Sequence, residues 1–224
     1  LESLYLAPTA AHRQLVQLFA KQLFTTNMDR VVEHALNESD QPYDVILSSN
    51  KSQKNETHHE QGLQLVKLYG DLSCPTSLVI TADDHELYPL HHPTLMRLLT
   101  MAWRSCSLLF VGYQHDDTRL RRLLTQLRLE SRELARDAAL ILFDSSQQVT
   151  QAYQRWGVQV INLEVESGES SFEGATYQHN AKLAEWLALF QEQIEVEREQ
   201  QAAQLARRRP ALPDEPYKFL DAFT

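Results

Sequence analysis

Short apolar runs alternate along this chain with longer stretches whose apolar residues recur at helical spacing, and that alternation constrains the fold more than any other feature. It is the pattern of strand–helix units laid on a parallel sheet, where strands covered on both faces read as continuous apolar runs. Strands are expected at Gln22–Thr25, Tyr43–Leu47, Leu63–Leu68, Ser77–Ile80, Ser107–Gly112, Ala138–Phe143 and Val158–Leu163. Helices are expected at Pro8–Lys21, Asn27–Leu36, Pro93–Arg104, Asp116–Arg136 and Gln147–Trp156. Thr81 followed by Asp84 has the spacing of a capping box. Ser48–Gln61 is polar and without period, and is read as a loop. From Ala181 the chain becomes one long helix, with Leu183, Trp186, Leu187, Phe190 and Ile194 on a packing face and a polar second half. The expected class is α/β: a Rossmann-like open parallel sheet with helices on both faces, followed by a long C-terminal helix.

Composition narrows the partners. Asp and Glu outnumber Lys and Arg by 30 to 21, a formal charge of −9, so no direct nucleic-acid contact is expected. No apolar run approaches the ~20 residues that cross a bilayer, so no membrane partner is expected. The only cysteines, Cys74 and Cys106, stand far apart in sequence and supply neither a disulfide framework nor a four-cysteine zinc site; a cytoplasmic location is the expectation. His58, His59, His85, His91 and His92 lack the acidic or thiol partners of a zinc site, and no metal is expected. Leu1-Glu2-Ser3 resembles neither a signal peptide nor an initiator, so the chain is read as a piece of a longer protein.

Three strand ends carry the chemistry. Leu23-Phe24-Thr25-Thr26-Asn27-Met28-Asp29 stops in a polar turn, where Asn27 and Asp29 are either helix caps or residues at the ligand edge of the sheet. Val66-Lys67-Leu68-Tyr69-Gly70-Asp71 closes in a glycine. In Leu109-Phe110-Val111-Gly112-Tyr113-Gln114-His115-Asp116, Gly112 would let a ligand approach the backbone and Asp116 suits the start of a helix.

In this order the three segments resemble the sirtuin-like family. Pro8, His12, Leu15 and Phe19 fit the helix before the family's asparagine motif, Ile80-Thr81 and Val160-Ile161-Asn162-Leu163 also fit, and the resemblance covers roughly residues 5–165. It is closest to the zinc-less bacterial branch, whose members often act as NAD-consuming effectors against phage. The resemblance implies NAD as substrate or ligand, no zinc, and an NAD glycohydrolase that cleaves the nicotinamide–ribose bond. It also implies that Asn27 orients the ribose and the attacking water. Thr26, Asp29, Gly70, Gly112, Tyr113 and Asp116 would contact NAD. Two departures stand out. Tyr69 takes the place of the family's histidine, a catalytic position at which it can hold a hydroxyl but accepts protons poorly. The family's glycine-rich first turn should precede Pro8 and is not in this sequence. The alternative is therefore a degenerate domain that senses nucleotide or scaffolds a homo-oligomer.

The expected organisation is a sirtuin-like domain over residues 1–194, a charged helical and proline linker over 195–216, and the start of an NTPase module over 217–224. That last expectation rests on Pro216-Tyr217-Lys218-Phe219-Leu220, which resembles the opening of STAND-type P-loop NTPases and makes such a domain of the same protein an expected partner.

Overall fold

The computed structural model describes residues 6–18, 20–47, 62–114, 117–131, 135–165 and 172–208. In chain order these form α1 (Ala10–Gln17), β1 (Gln22–Thr25), α2 (Val31–Glu38), β2 (Tyr43–Ile46), β3 (Leu63–Lys67), a 3-10 turn at Pro75–Ser77, α3 (Ala82–Glu86), α4 (Tyr88–His91), α5 (Pro93–Ser105), β4 (Leu108–Phe110), α6 (Thr118–Ser131), β5 (Ala138–Phe143), α7 (Gln147–Gln154), β6 (Val158–Leu163) and α8 (Phe172–Arg208).

The described strand pairs are all parallel. β3 lies between β1 and β2, with Phe24 opposite Val66, and β5 lies between β4 and β6, with Leu140 opposite Val160. Alternation along the central strands decides which layer covers each face. On β5, Leu140 and Leu142 join Leu95, Leu99 and Trp103 of α5 and the leucines of α6, whereas Ile141 packs with Ala11 of α1 and Leu183 and Leu187 of α8. On β3, Val66 belongs to the first of these cores, while Leu63 and Leu65 pack with Val16 of α1 and Leu36 of α2. Helices therefore cover both faces, as the continuous apolar runs require.

Helix spacing supplies those layers. Leu120, Leu123, Leu124 and Leu127 of α6 recur at i, i+3, i+4 and i+7 and are all buried. Each such side chain contributes about 1.5–3 kcal/mol on leaving water. In the last turn of α5 the Trp103 indole N–H donates to the Arg136 carbonyl at 2.7 Å, and the Arg136 N–H returns a bond to the Trp103 carbonyl at 2.9 Å. That clamp fixes the chain as it enters β5.

Several elements differ from expectation. The strand hydrogen bonds form two three-stranded ladders where one continuous ladder was expected. Ser77–Ile80 is not a strand: the 3-10 turn ends at Ser77, and Val79 makes a single backbone bond to the Tyr69 carbonyl. α1 stops at Gln17 because Leu18 turns to extended geometry (ψ 142°). α2 starts at Val31, not Asn27, because the Asp29 carboxylate takes the Val31 N–H. α6 spans Thr118–Ser131, inside the longer helix expected. α8 begins at Phe172, before the expected Ala181, while its polar second half continues to Arg208 and is exposed from Glu195 to Gln204 as expected. The Thr81–Asp84 box forms as spaced: Asp84 N–H donates to Thr81 Oγ1 at 3.1 Å, and Thr81 N–H to the Asp84 carboxylate at 2.9 Å. The Ser48–Gln61 loop and the 217–224 segment lie outside the described residues. Among described helices none is long and apolar enough to cross a membrane.

Candidate active site

The turns after β1 and β3 leave one edge of their parallel ladder, and a contact between Tyr113 and Thr26 brings the turn after β4 beside them. After β1, Asn27 N–H donates to Thr25 Oγ1 at 3.0 Å, which holds a tight turn and leaves Asn27 exposed. Asp29 is half-buried, and one carboxylate oxygen accepts the Val31 N–H at 3.1 Å. Its local capping role, one of the two sequence readings, is thus occupied. After β3, Leu68 N–H continues the ladder to the Thr25 carbonyl at 2.8 Å and carries the chain into Tyr69 and Gly70. After β4 come Gly112 and Tyr113, and a side-chain hydrogen bond joins Tyr113 to Thr26. Tyr113 is also close enough to Tyr69 for the two phenols to interact.

The glycines differ in kind. Gly70 has φ +89°, and a Cβ there would lie 2.2 Å from the Ser77 carbonyl oxygen, so close backbone packing requires it. Gly112 has φ +80°, and a Cβ there would meet nothing within 4 Å. Its backbone stands beside open space, which fits a residue against which a ligand could lie.

Tyr69 is buried, 4% exposed, with its ring edge-on to His85 (4.7 Å between centroids) and Tyr88 (5.5 Å). Burial, with the Tyr113 phenol adding to it, pushes its hydroxyl up to about 12. At neutral pH it is a hydrogen-bonding group and not a base. His85 is only half-buried; burial first, then the Arg119 and Arg122 guanidiniums, hold it below the ordinary histidine value. It stays neutral at pH 7 and can accept a proton. Tyr69, His85, Tyr88, Arg119 and Arg122 line a cavity of about 10 Å³, enough for one water and far too small for a dinucleotide. A larger groove of about 350 Å³ beside Pro93, Met96 and Arg104 contains none of the strand-end residues.

Beneath the β1 turn lies Lys67, which sequence reading quoted but did not single out. Its side chain is fully buried, and Nζ donates to Asp71 (2.6 Å), to Glu33 (2.9 Å) and to the carbonyl oxygens of Asp29 (2.5 Å) and Met28 (3.5 Å). Burial raises the Asp71 carboxyl, but bonds from Lys67 and Ser73 outweigh it and hold Asp71 below the usual carboxylate range. The signal was present in the pattern: Lys67 follows Leu63 and Leu65 on one strand face, where alternation calls for an apolar residue.

Residues 21–161 match the SIR2-like domain family. The chain belongs to this family. The SIR2-like chain is also similar to proteins named NAD(+) hydrolase ThsA. It is 30% identical over 122 residues to that of Acinetobacter baumannii (strain 532279), covering 54% of this chain and 25% of the relative. It is 30% identical over 120 residues to that of Bacillus cereus (strain MSX-D12) and over 128 residues to that of Enterococcus faecium, each again covering 54% of this chain and 25% of the relative. The matched part therefore spans about a quarter of these relatives' length.

Of the site residues expected from sequence, the SIR2-like fold carries Thr26, Asn27 and Asp29 on the β1 turn, Tyr69 and Gly70 after β3, and Gly112 and Tyr113 after β4. Thr26, Tyr113 and Tyr69 are near neighbours. Asp116 and His115 lie outside the described residues, as do His58 and His59. Among the described residues no group of three His, Cys, Asp or Glu could hold a metal ion.

Proposed function

We propose that this SIR2-like chain is the NAD-hydrolysing effector part of a larger bacterial antiphage defence protein. The observation that carries the reading is the exposed Asn27 at the tip of β1, within a region similar to enzymes named NAD(+) hydrolase. In the reaction the bond from the ribose C1′ to the nicotinamide nitrogen breaks with its electron pair going to nicotinamide. A water oxygen bonds to C1′ and releases a proton, giving ADP-ribose. The leaving group already carries positive charge, so it needs no acid. What the protein must supply is orientation of the ribose and of the water, and the Asn27 amide can both donate and accept for that task. Thr26, Gly112 and Tyr113 would hold the nucleotide, with the open space beside Gly112 leaving room for it. Asp29 would stand at the neighbouring pocket, and Gly70 and Asp116 at its margin.

Tyr69 favours a second reading. A buried phenol raised to about 12 does not take a proton from water at neutral pH, which suits a domain that binds nucleotide or scaffolds a homo-oligomer without turnover. The test uses the full-length protein with its trigger, including any NTPase domain, and follows NAD loss in the wild type and in Asn27→Ala. Loss in the wild type that falls at least ~10²-fold in Asn27→Ala supports hydrolysis. Equal loss removes Asn27 from the mechanism, and no loss in either favours the scaffold.

A further inference from the structure

Lys67 makes contacts that go beyond stabilising a strand. A fully buried ammonium is costly unless every proton is bonded, and here the acceptors come from three places: the β1–α2 turn, α2 and the turn after β3. Two of them are backbone carbonyls of successive residues, Met28 and Asp29, immediately after Asn27. In a trans peptide the N–H points opposite to the C=O, so the ammonium sets the Asp29 peptide plane at 2.5 Å and makes only a long 3.5 Å contact with the Met28 carbonyl, with the N–H groups of Asp29 and Arg30 directed away from it. The Met28 carbonyl is held a second time, by the Leu72 N–H at 3.0 Å. Glu33 and Asp71 fix the ammonium from below, so it cannot follow the turn if the turn moves. One cation faces two carboxylates, and the second Glu33 oxygen is buried without a hydrogen-bond partner among the described residues. Three buried charges and an orphaned oxygen are a poor way to gain stability alone, since an apolar replacement of all three is often neutral or better. What they do supply is a backbone turn with a single conformation.

We propose that Lys67 is a positioning residue, whose ammonium locks the Met28 and Asp29 peptides and thereby sets the direction in which Asn27 meets its substrate. The proposal rests on the NAD-hydrolysing reading for its kinetic consequence, but not for its structural one. Displacing a catalytic group by ~1 Å costs on the order of 10²-fold in rate, so a modest loosening of this turn is enough to show.

The experiment compares the wild-type full-length protein with Lys67→Met and with the triple variant Lys67→Met/Glu33→Gln/Asp71→Asn. The triple variant removes the stranded charges and keeps the test alive should Lys67→Met alone fail to fold. Amide hydrogen exchange is read in peptides covering residues 26–33 and, as a control, 138–143 of β5. Expected is exchange at least ~10-fold faster in 26–33 with β5 unchanged, together with a fall in kcat for NAD larger than any rise in KM. Glu33→Gln alone keeps the ammonium, its carbonyl bonds and its Asp71 tether, and should accelerate exchange at 26–33 less than Lys67→Met does. Unchanged exchange at 26–33 in the triple variant, or equal acceleration at 26–33 and β5, overturns the proposal. If exchange changes as expected but wild type and Asn27→Ala consume NAD equally, the hydrolase reading fails and the anchoring role of Lys67 stands.

Discussion

Gly70 and Gly112 share a backbone geometry but not an environment, so the same substitution at each separates conformational strain from steric conflict. Replacing either with alanine puts a Cβ on a residue at φ +89° or +80°, which costs about 1–2 kcal/mol for an L-residue. At Gly112 the account ends there, because the new methyl group meets nothing within 4 Å. At Gly70 the methyl would lie 2.2 Å from the Ser77 carbonyl oxygen and 2.5 Å from its carbon, and backbone must move. Forced repacking of this kind adds about 1–3 kcal/mol. Movement of Ser77 also threatens its hydroxyl's bonds to the Asp71 N–H (3.0 Å) and the Cys74 carbonyl (2.7 Å), and a buried donor left unpaired costs a further ~1–3 kcal/mol. Gly70→Ala should therefore lose about 3–8 kcal/mol and Gly112→Ala only about 1–2 kcal/mol. At ~2–4 °C per kcal/mol for a chain of this size, Gly70→Ala should melt at least ~6 °C below wild type, with Gly112→Ala losing ~2–8 °C and always less than Gly70→Ala. Thermal melts and urea unfolding followed by circular dichroism measure both. If the two variants are equally destabilised, the close approach of Gly70 to Ser77 is not what makes that glycine necessary, and the reasoning fails.

Tyr69→His should raise NAD hydrolysis by up to the ~10²–10⁴-fold of general-base catalysis, measured as initial rates of the full-length protein at pH 7.5 or so; no gain would show that position 69 does not reach the water. Tyr88→Phe removes the 2.7 Å bond from a buried hydroxyl to the Leu68 carbonyl and should cost about 1–3 kcal/mol in urea unfolding. Burial, only partly offset by the nearby Asp29 carboxylate, holds His12 below its ordinary value of 6.5, and its Nδ1 accepts the Thr9 N–H at 3.3 Å, which requires an unprotonated ring. Its contribution to stability is thus present above 6.5 and is lost as pH falls from there toward the lower folded value, so His12→Gln should flatten the fall in melting temperature between about pH 7 and 5.5.

The best-read parts of the sequence were those with apolar residues on both faces. Ala138–Phe143 and Val158–Leu163 form strands with the expected bounds because each of their faces meets a helical layer. Ser77–Ile80 has the same local appearance, Leu-Val-Ile, yet only Val79 enters the core, while Ile80 is 65% exposed. A strand needs a neighbour to pair with, and residue order does not say where neighbours are. The start of α2 lies later than expected for a related reason: Asn27 to Arg30 have helical company, but Lys67, remote in sequence, takes the Met28 and Asp29 carbonyls. The site followed the same division. Strand tips and their order were visible as motifs, whereas the burial of Tyr69, its contact with His85 and the ammonium under the β1 turn all depend on residues brought together only by folding.

These features bear on whether Tyr69 ends catalysis or merely limits it. A general base assists one event on the proposed pathway, removal of a proton from the attacking water, and that water meets a ribosyl centre already made electrophilic by departure of a cationic leaving group. On the proposed reading the barrier to breaking the bond is lowered by holding the ribose, a task given to Asn27 and not to position 69. Burial of the tyrosine would therefore subtract from one factor in the rate and leave the other in place. On the proposed hydrolase reading, a fixed β1 turn beside a phenol that is no base predicts turnover that is slowed and not abolished.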